Sequence, residues 1–268
     1  MPGRPAGSAS PRDGIDMLEE DWPSVRGVSP GLHSDAVANL AVEEALVRAG
    51  PMRPLLRVWR SGQCVVVGRG QRVEREVNLA ACSRGGVPVL RRASGGGTVY
   101  HDLGNLNISM AVPGYVPWLS RDLIELVAAA IERLGLAPSI GERGVFVGGC
   151  KVSGLAAQLT RGGSLAHATL LVTTPAARVL RFLAPAPPSP RPLDSRRVPV
   201  RPLRDHNPAL GMEAARSAVL AAAASRYGGL LTRAPRAAEQ RWLERLLAER
   251  YSDPAWHMTG RPKQVLNL

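Results

Sequence analysis

The amino-acid sequence predicts an α+β fold. Strand-like and helix-like segments interleave along the chain without the regular βαβ spacing that a doubly wound sheet requires. The 268 residues can bury one substantial core or two small ones. A hydrophobic content of 45% and a charged content of 21% are typical of a globular protein, and no apolar run of about 18 residues indicates a membrane-spanning helix.

The N-terminal third predicts a leader, one helix and three strands. Residues 1–30 are rich in Pro, Gly and Ser and lack the apolar core of a signal peptide, so they predict a disordered leader. The segment HSDAVANLAVEEALVRAG predicts a helix that Ser34 or Asp35 caps and that a Gly-Pro pair ends. The strand-like runs LLRVWR and CVVVGRG follow, and a third, GVPVLRRAS, leads into the triple glycine of residues 95–97.

The rest of the chain also contains both strand-like and helix-like segments. From Asn105 to Val112 apolar side chains alternate with small, mainly polar ones, which predicts a strand with one face on the core. A helix with apolar residues three and four apart begins at Ser120, and the strands GVFV, KVSGLAAQLT and SLAHATLLV come after it. The stretch LAPAPPSPRPLDSRRVPVRPL predicts an extended, partly mobile connection. Two Ala/Arg-rich helices, at about Met212–Tyr227 and Ala237–Tyr251, close the chain.

The net charge and the cysteine content indicate which partners and which cellular compartment to expect. The net charge of +12 favours an acidic partner. The arginines are spread along the chain without the aromatic and basic signature of an RNA-binding surface, so we do not expect nucleic acid as a partner. Cys64, Cys82 and Cys150 have irregular spacing and follow no signal peptide, which predicts reduced thiols and a cytoplasmic protein. No CxxC pair or histidine cluster predicts a metal site.

The segment RRASGGGTVYHDLGN, residues 91–105, is the first candidate site. Three consecutive glycines let the backbone approach a ligand closely, and their N–H groups can cradle an anion. Arg91 and Arg92 before the loop can bind a phosphate or carboxylate in forked geometry, and His101 and Asn105 follow it. A tight hairpin would explain a bare triple glycine, but these flanking residues favour a ligand site. The absence of GKS or GKT excludes a P-loop.

The second candidate is a lysine in the glycine-rich stretch VGGCKVSG. The chain has only two lysines, Lys151 and Lys263, among 34 basic residues. A compact ammonium group at Lys151 can donate to one carbonyl oxygen or lie against a phosphate without the width of a guanidinium; the alternative is a solvated surface charge. Cys150 is either a free thiol without a role or a thiolate nucleophile whose pKa the neighbouring lysine lowers. His167 is likewise either a core residue of an apolar strand or a functional group.

Three segments together resemble the lipoate–protein ligase A family. They are RRASGGGTVYHDLGNLN, GGCKVSGLAAQ and HATLLV, and the similarity runs from about His33 to RYSDPAWHMTGRP near the C-terminus. The family lies in a larger group with biotin and lipoate A/B protein ligases and octanoyltransferases. The resemblance implies a mixed β-sheet packed by helices, formed by residues 31–268 as a single catalytic domain with C-terminal helices and no accessory domain.

The resemblance also implies which residues form the site. Lys151 would contact the acyl carbonyl and the phosphate, and Cys150 is the thiol nearest to it in sequence. The arginine–glycine loop would embrace the acyl group and the adenylate. The implied acyl- and adenylate-binding residues are Arg91, Arg92, Ser94, Gly95, Gly96, Gly97, His101, Asn105, Ser153, Gly154, His167 and Thr169.

The implied function is attachment of a lipoyl or octanoyl group to a lysine of a lipoyl-carrier domain. We expect an ATP-dependent ligase, which would use lipoate or octanoate, ATP and Mg²⁺ and form an acyl-adenylate. One alternative is an octanoyltransferase that takes the acyl group from acyl carrier protein through Cys150. Another is a degenerate, non-catalytic binder of the carrier domain.

Three departures from the family pattern bear on this choice. Arg143 and Gly144 stand where the ligases carry an Asn-Asp pair, and the missing carboxylate bears on metal-assisted adenylation. Ala168 replaces a glycine in the motif that begins at His167. The chain ends where the accessory domain of the ligases would begin, which predicts a separate accessory subunit. The transferase alternative departs too, because Cys150 is not at a position where octanoyltransferases carry their cysteine.

Overall fold

Two mixed β-sheets organise the part of the chain that this computed structural model describes, residues 14–18, 35–142 and 144–261. In chain order the strands are β1 (Ile15–Leu18), β2 (Leu55–Trp59), β3 (Cys64–Val67), β4 (Val89–Arg91), β5 (Val99–His101), β6 (Asn105–Pro113), β7 (Pro138–Gly141), β8 (Gly144–Val147), β9 (Cys150–Leu159), β10 (Gly163–Leu171) and β11 (Leu230–Arg233). The larger sheet has the order β11-β1-β2-β6-β10-β9-β8-β7 and the smaller the order β4-β3-β5. Strand β1 is parallel to β2 and β11, and β3 is parallel to β4. The other ladders of these sheets are antiparallel.

Helices cover both faces of the larger sheet. They are α1 (Ala36–Arg48), α2 (Val73–Glu76), α3 (Leu79–Gly85), α4 (Leu119–Arg133), α5 (Ala176–Phe182), α6 (Leu203–His206), α7 (Met212–Tyr227), α8 (Ala237–Leu246) and α9 (Pro254–Thr259). A π-helical turn, Leu247–Tyr251, continues α8. Helices α4 and α7 pack on one face of the sheet, and α1 and α8 pack on the other. The predicted α+β class, with a mixed sheet packed by helices, is therefore confirmed.

Strand β6 separates an apolar core from a polar layer. Its core face lies against α4 and α7 and consists of Leu106, Ile108, Met110 and Val112. The predicted spacing of Leu123, Val127 and Ile131 places them on this core from α4, and each buried aliphatic side chain stabilises the fold by about 1.5–3 kcal/mol. The other face of β6 presents polar side chains that are also buried: Asn105, Asn107 and Ser109. A second layer must therefore cover polar groups.

Helix α1 and the smaller sheet form that second layer. Side chains of β3, β4 and β5 pack with α1 over the larger sheet, including Val66, Leu90 and Val99. The outer face of the smaller sheet packs on α3 and α5, where the ring of Tyr100 stacks on that of Phe182 with centroids 5.3 Å apart. The polar face of β6 thus lies between two folded layers.

Most predicted elements have the predicted type. Asp35 caps α1, since its side chain accepts a hydrogen bond of 2.9 Å from the backbone N–H of Ala38, while Ser34 lies outside the described residues. The first C-terminal helix, α7, has the predicted bounds, and the second is divided at Leu246 into α8 and the π-helical turn.

The prediction of a disordered leader over residues 1–30 was wrong for Ile15–Leu18, which form β1. Apart from Gly14, the other leader residues lie outside the described part of the chain. Strand β1 pairs with β2 on one side and with β11 on the other. Local composition could not predict β1, because its second partner comes from the opposite end of the sequence.

Arg91 ties the C-terminal helix α9 to the smaller sheet. Its side chain is 1% exposed and donates hydrogen bonds of 2.8–3.2 Å to the carbonyl groups of Gly68, Arg69, Gln71, Trp256, His257 and Met258. Each of the three guanidinium nitrogens thus donates to at least one backbone carbonyl group. The predicted role of Arg91 in ligand binding is therefore corrected to a structural one.

We predict that Arg91→Met lowers the free energy of unfolding by about 3 kcal/mol, because it leaves several buried carbonyl groups without a donor. Urea unfolding at pH 7 measures the change. Arg161→Met is the matched control, since Arg161 is exposed in the turn between β9 and β10 and should change stability by less than about 0.5 kcal/mol. Equal effects of the two substitutions would contradict the structural role.

Candidate active site

A cavity of about 370 Å³ lies between the polar face of the larger sheet and the layer above it. The central strands of the larger sheet supply Asn105, Asn107, Gly154, Ala156, His167 and Thr169. These strands also supply Leu155 and Leu171, and the other walls include the aliphatic residues Leu40, Val66, Val99 and Val179. A mostly apolar space with a few polar groups suits a small organic ligand that has one polar end.

Arg92 fixes the glycine loop at this cavity. Its Nη2 donates to the carbonyl oxygens of Gly95 and Gly97 at 2.5 and 2.8 Å, and its Nη1 donates to that of Val66 at 3.2 Å. Gly96 has φ +84°, and a Cβ there would lie 2.8 Å from Cβ of Ala156, so glycine is required by both backbone and space. Burial lowers the pKa of Arg92 to about 10, which leaves the group charged at pH 7.

A chain of buried hydrogen bonds continues from Arg92 across the site. Ser94 Oγ accepts from Arg92 Nε at 2.9 Å and lies 2.8 Å from His167 Nε2. His167 Nδ1 lies 2.9 Å from both carboxylate oxygens of Glu43, and Glu43 also accepts from Ser109 at 2.5 Å. Because the Glu43 carboxylate can only accept, His167 carries a proton on Nδ1, and in the neutral form of His167 its Nε2 then accepts from the Ser94 hydroxyl.

The order serine, histidine and carboxylate matches that of a hydrolase triad, but its surroundings differ. Ser94 is 2% exposed and is not among the described residues that line the cavity. Its oxygen already accepts a bond from a charged guanidinium, which weakens it as a nucleophile. The arrangement therefore holds the glycine loop to strand β10 and helix α1 and does not form an acyl-enzyme.

Burial sets the charge states inside the site. Burial alone would raise the pKa of Glu43, but the attraction of His167 and hydrogen bonds from His167 and Ser109 lower it below the usual value. His101 is also buried, and the cost of removing its charged form from water lowers its pKa to about 4. His101 is thus a neutral imidazole at pH 7, whereas Arg92 is charged at this pH.

Lys151 enters the cavity near two glycines. A Cβ on Gly154 would lie 3.9 Å from Lys151 Nζ, and a Cβ on Gly144 would lie 2.6 Å from its Cε. A Cβ on Gly144 would also lie 2.0 Å from the carbonyl oxygen of Ser153, so both the backbone and the lysine stem require a glycine there. Arg143, the other member of that replaced pair, lies outside the described residues.

The proline- and arginine-rich connection crosses the cavity mouth, and we call residues 194–201 the strap. Its backbone pairs with Lys151, which donates to Pro199 at 2.8 Å and accepts from Arg201 at 3.2 Å. The strap is anchored further by an Arg75–Asp194 ion pair at 2.5 Å. Ser195 Oγ also accepts hydrogen bonds from the backbone N–H of Thr98 and from Gln71 Nε2. These contacts hold residues 194–201 of the connection, which was predicted to be extended and partly mobile, against the rest of the fold.

The structure brings most predicted site residues to one cavity. Those in its lining are Arg92, Gly97, His101, Asn105, Lys151, Ser153, Gly154, His167 and Thr169. Those that the described lining does not include are Arg91, Ser94, Gly95, Gly96 and Cys150. Cys150 is half-buried at the first position of β9, so its predicted nucleophilic role has no support from the cavity geometry.

Four further residues line the cavity that the sequence motifs did not indicate: Glu43, Trp59 and the strap residues Ser195 and Arg196. One signal could have found Glu43, because a carboxylate inside an apolar helical segment must be paired when buried. The strap has no such local signal, since its position depends on bonds to Lys151 and to the smaller sheet.

No group of three or more His, Cys, Asp or Glu side chains positioned to hold a metal ion occurs among the described residues. Within the same ranges, the helices are too short or too polar to cross a bilayer.

Comparisons with known proteins agree with the geometry. Residues 35–224 match the model of the lipoyl protein ligase A/B catalytic domain family. A candidate lipoate-protein ligase A of Aeropyrum pernix is 40% identical over 153 residues, which is 55% of this chain and 58% of that protein. The match thus spans less than two thirds of this relative.

Two solved structures share the fold over nearly their whole length. One is a bipartite lipoate protein ligase of Thermoplasma acidophilum, studied with its E2 lipoyl domain; it is 26% identical, has a TM-score of 0.77, and covers 94% of this chain and 99% of its own. The other is a lipoate-protein ligase A bound with ATP, at 25% identity and a TM-score of 0.75, covering 91% of this chain and 98% of its own.

His101 gives the site a pH-dependent effect on stability. Its pKa is about 4 in the folded protein and about 6.5 when unfolded. Between these values the unfolded chain binds a proton that the folded chain does not, so this residue lowers stability as pH falls from 6.5 to 4. We predict that His101→Gln reduces the stability lost between pH 7 and pH 4.5 by about 2–3 kcal/mol. Urea unfolding at the two pH values tests this, and equal losses for both proteins would contradict it.

Proposed function

Because the chain belongs to the lipoyl protein ligase A/B catalytic domain family, we propose that it is an ATP-dependent lipoate–protein ligase. It activates lipoate or octanoate as an acyl-adenylate and transfers the acyl group to a lysine of a lipoyl domain. The proposal is carried by the ammonium group of Lys151 in a largely aliphatic cavity that also contains the buried charge of Arg92. These groups suit a ligand with an aliphatic chain and an anionic head.

The residues present support a two-step reaction. In the first step a carboxylate oxygen of the acid attacks the α-phosphorus of ATP, and pyrophosphate leaves. Lys151 donates to the phosphate and carbonyl oxygens on which negative charge increases, and Arg92 adds a positive potential that burial strengthens. In the second step the ε-amine of the carrier lysine attacks the acyl carbonyl, AMP leaves, and an amide bond forms while Lys151 polarises that carbonyl.

ATP and magnesium would bind at the part of the cavity that the strap lines. The similar lipoate-protein ligase A bound with ATP supports ATP as the activating nucleotide. Magnesium binds mainly to phosphate oxygens, with one or two carboxylates from the protein. Two carboxylates line the cavity: Glu43 is bonded to His167, so Glu142, which pairs with Arg196, is the candidate metal ligand.

The acceptor in this proposal is an acidic lipoyl domain. A net charge of +12 favours its approach, and the Thermoplasma acidophilum relative was studied with its E2 lipoyl domain. That relative is bipartite, which supports a separate accessory subunit for this protein as well. Assays therefore need to be run with and without such a subunit.

We predict that Lys151→Ala lowers the rate of lipoyl transfer by a factor of about 100–1,000, the usual effect of removing one donor from a developing oxyanion. Lys151→Arg should also be slow, because a guanidinium is too wide for the space beside Gly144 and Gly154. Mass spectrometry of the lipoyl domain after incubation with lipoate, ATP and Mg²⁺ measures the product. Unimpaired transfer by Lys151→Ala would exclude the mechanism.

Cys150→Ser is the control that separates ligase from transferase. We predict that it keeps at least half of the wild-type ligase rate, since Cys150 is not in the cavity lining among the described residues. A parallel reaction supplies octanoyl-acyl carrier protein without ATP. Product formed from the thioester alone, and lost in Cys150→Ser, would replace the ligase with an octanoyltransferase. Binding of the lipoyl domain without modification from either donor would identify a non-catalytic binder.

A further inference from the structure

The mouth of the cavity is defined by the lining residues that solvent also reaches. Glu142, Leu180, Arg196 and Val198 line the cavity and are exposed, whereas the other lining residues in the described ranges are buried or half-buried. Leu180 belongs to α5, Glu142 lies in the turn between β7 and β8, and the other two belong to the strap. The cavity therefore opens to solvent between α5, this turn and the strap.

A protein that accepts the acyl group has to contact this mouth. The side chain of a lysine extends about 6 Å from its Cα to its amine. In the proposed function, on which this inference rests, the amine of the carrier lysine attacks a carbonyl group beside Lys151, which lines the cavity. The backbone of the carrier domain therefore comes within about one lysine length of the reacting carbonyl, and its surface covers the residues around the mouth.

Two aliphatic side chains lie at the mouth with much of their surface in water. Leu180 is 65% exposed and Val198 is 38% exposed. One belongs to α5 and the other to the strap, so they lie on two different walls of the opening. Apolar side chains exposed beside a cavity mouth are suited to the centre of a protein–protein interface, which is more apolar than its rim.

Arginines dominate the charge of the segment that carries these residues. Residues 175–206 contain seven arginines and two aspartates, and one of the aspartates, Asp194, is largely buried in an ion pair. Arg181 on α5 is exposed, and its guanidinium lies 5.4 Å from the ring centroid of Phe182. No carboxylate of a described residue forms an ion pair with Arg181. This side of the mouth therefore attracts negative charge.

The strap presents a second arginine that can change partners. Arg196 pairs with Glu142 across the mouth, and their side chains are 73% and 60% exposed. An ion pair in this much water stabilises a protein little, because solvent screens its attraction. A carboxylate of a docking protein can therefore replace Glu142 beside Arg196 at little cost.

The composition of the segment favours an acidic protein over a nucleic acid. Apart from His206, the one aromatic side chain of residues 175–206 is Phe182, which is 4% exposed. Surfaces that bind single-stranded nucleic acid combine positive charge with exposed aromatic rings on which the bases stack. Arginine beside exposed aliphatic residues is instead typical of protein–protein interfaces.

We propose that Leu180 and Arg181 of α5, together with Arg196 and Val198 of the strap, form the surface on which the lipoyl domain docks. Carboxylates of the lipoyl domain pair with the two arginines, and an apolar residue beside the acceptor lysine packs on Leu180 and Val198. The surface holds the carrier over the mouth while its lysine enters the cavity. Arg181 contributes to this docking and takes no part in forming the acyl-adenylate.

The test is the steady-state KM for the lipoyl domain in Arg181→Glu, measured with lipoate, ATP and Mg²⁺ at saturation. We expect KM to rise at least about fivefold and kcat to change less than about twofold, because the substitution replaces an attraction by a repulsion. Lipoate-dependent exchange of pyrophosphate into ATP reports adenylation without the carrier and should be unchanged. Raising NaCl from about 0.05 M to about 0.3 M should raise KM more for the wild type than for Arg181→Glu.

Arg241→Glu is the matched control. Arg241 is exposed on α8, which follows β11 at the opposite edge of the larger sheet from β7 and β8, so the same change of charge there should alter KM less than about twofold. Arg181→Lys keeps the charge and should stay close to the wild type. Leu180 lines the cavity, so Leu180→Ser is measured by isothermal titration of the lipoyl domain, whose binding should weaken at least about threefold.

The outcomes separate this inference from the proposed function. An unchanged KM in Arg181→Glu, or an equal rise in Arg241→Glu, would overturn the docking surface, although ligase activity would stand. Binding of an oligonucleotide that is weakened by Arg181→Glu, with an unchanged KM for the lipoyl domain, would assign the surface to nucleic acid instead. Wild-type protein that supports neither pyrophosphate exchange nor transfer, with or without an accessory subunit, would refute the ligase proposal itself.

Discussion

The guanidinium of Arg92 is the contact on which the arrangement of the site depends. It binds the glycine loop through two carbonyl groups, strand β3 through Val66, and Ser94 through Nε. Ser94 then connects to His167 and Glu43. One buried cation thereby links a loop, two strands and a helix around the cavity. Because each bond in such a network polarises and positions the next, loss of one member leaves several buried groups unsatisfied.

In each of two pairs of adjacent charged residues, one member lies at the cavity and the other contacts the C-terminal segment. Arg92 and Glu43 face the site, whereas their neighbours Arg91 and Glu44 face away from it. Arg91 binds α9, and Glu44 forms an ion pair with Arg250 and accepts a hydrogen bond of 3.0 Å from Tyr251. The cavity and the C-terminal segment are thus attached to the same two short stretches of chain.

Sequence patterns predicted the structural features that depend on residues close together in the chain. The alternation in β6, the apolar spacing in α4 and the Asp35 cap depend on neighbours in sequence, and all three are present in the structure. The motif around Lys151 indicated the cavity because the required residue types lie close together along the chain. Strand β1, the partnership of Glu43 with His167 and the strap depend on contacts between distant segments, and no short stretch contains that information. The opposite orientations of Arg91 and Arg92 could not be predicted from the sequence either, because they depend on contacts with distant segments.

The contacts of Arg91 also impose an order on assembly during synthesis. The carbonyl groups that it binds in α9 belong to residues translated about 165 positions later, and β1 likewise waits for β11. Until the ribosome has released these segments, a nascent chain holds a guanidinium with half of its acceptors missing, directly beside the glycine loop. Closing such long loops is also the slowest part of folding for non-local contacts. The contacts that fix Arg91, the residue next to Arg92, are therefore completed only after translation has passed the C-terminal helix.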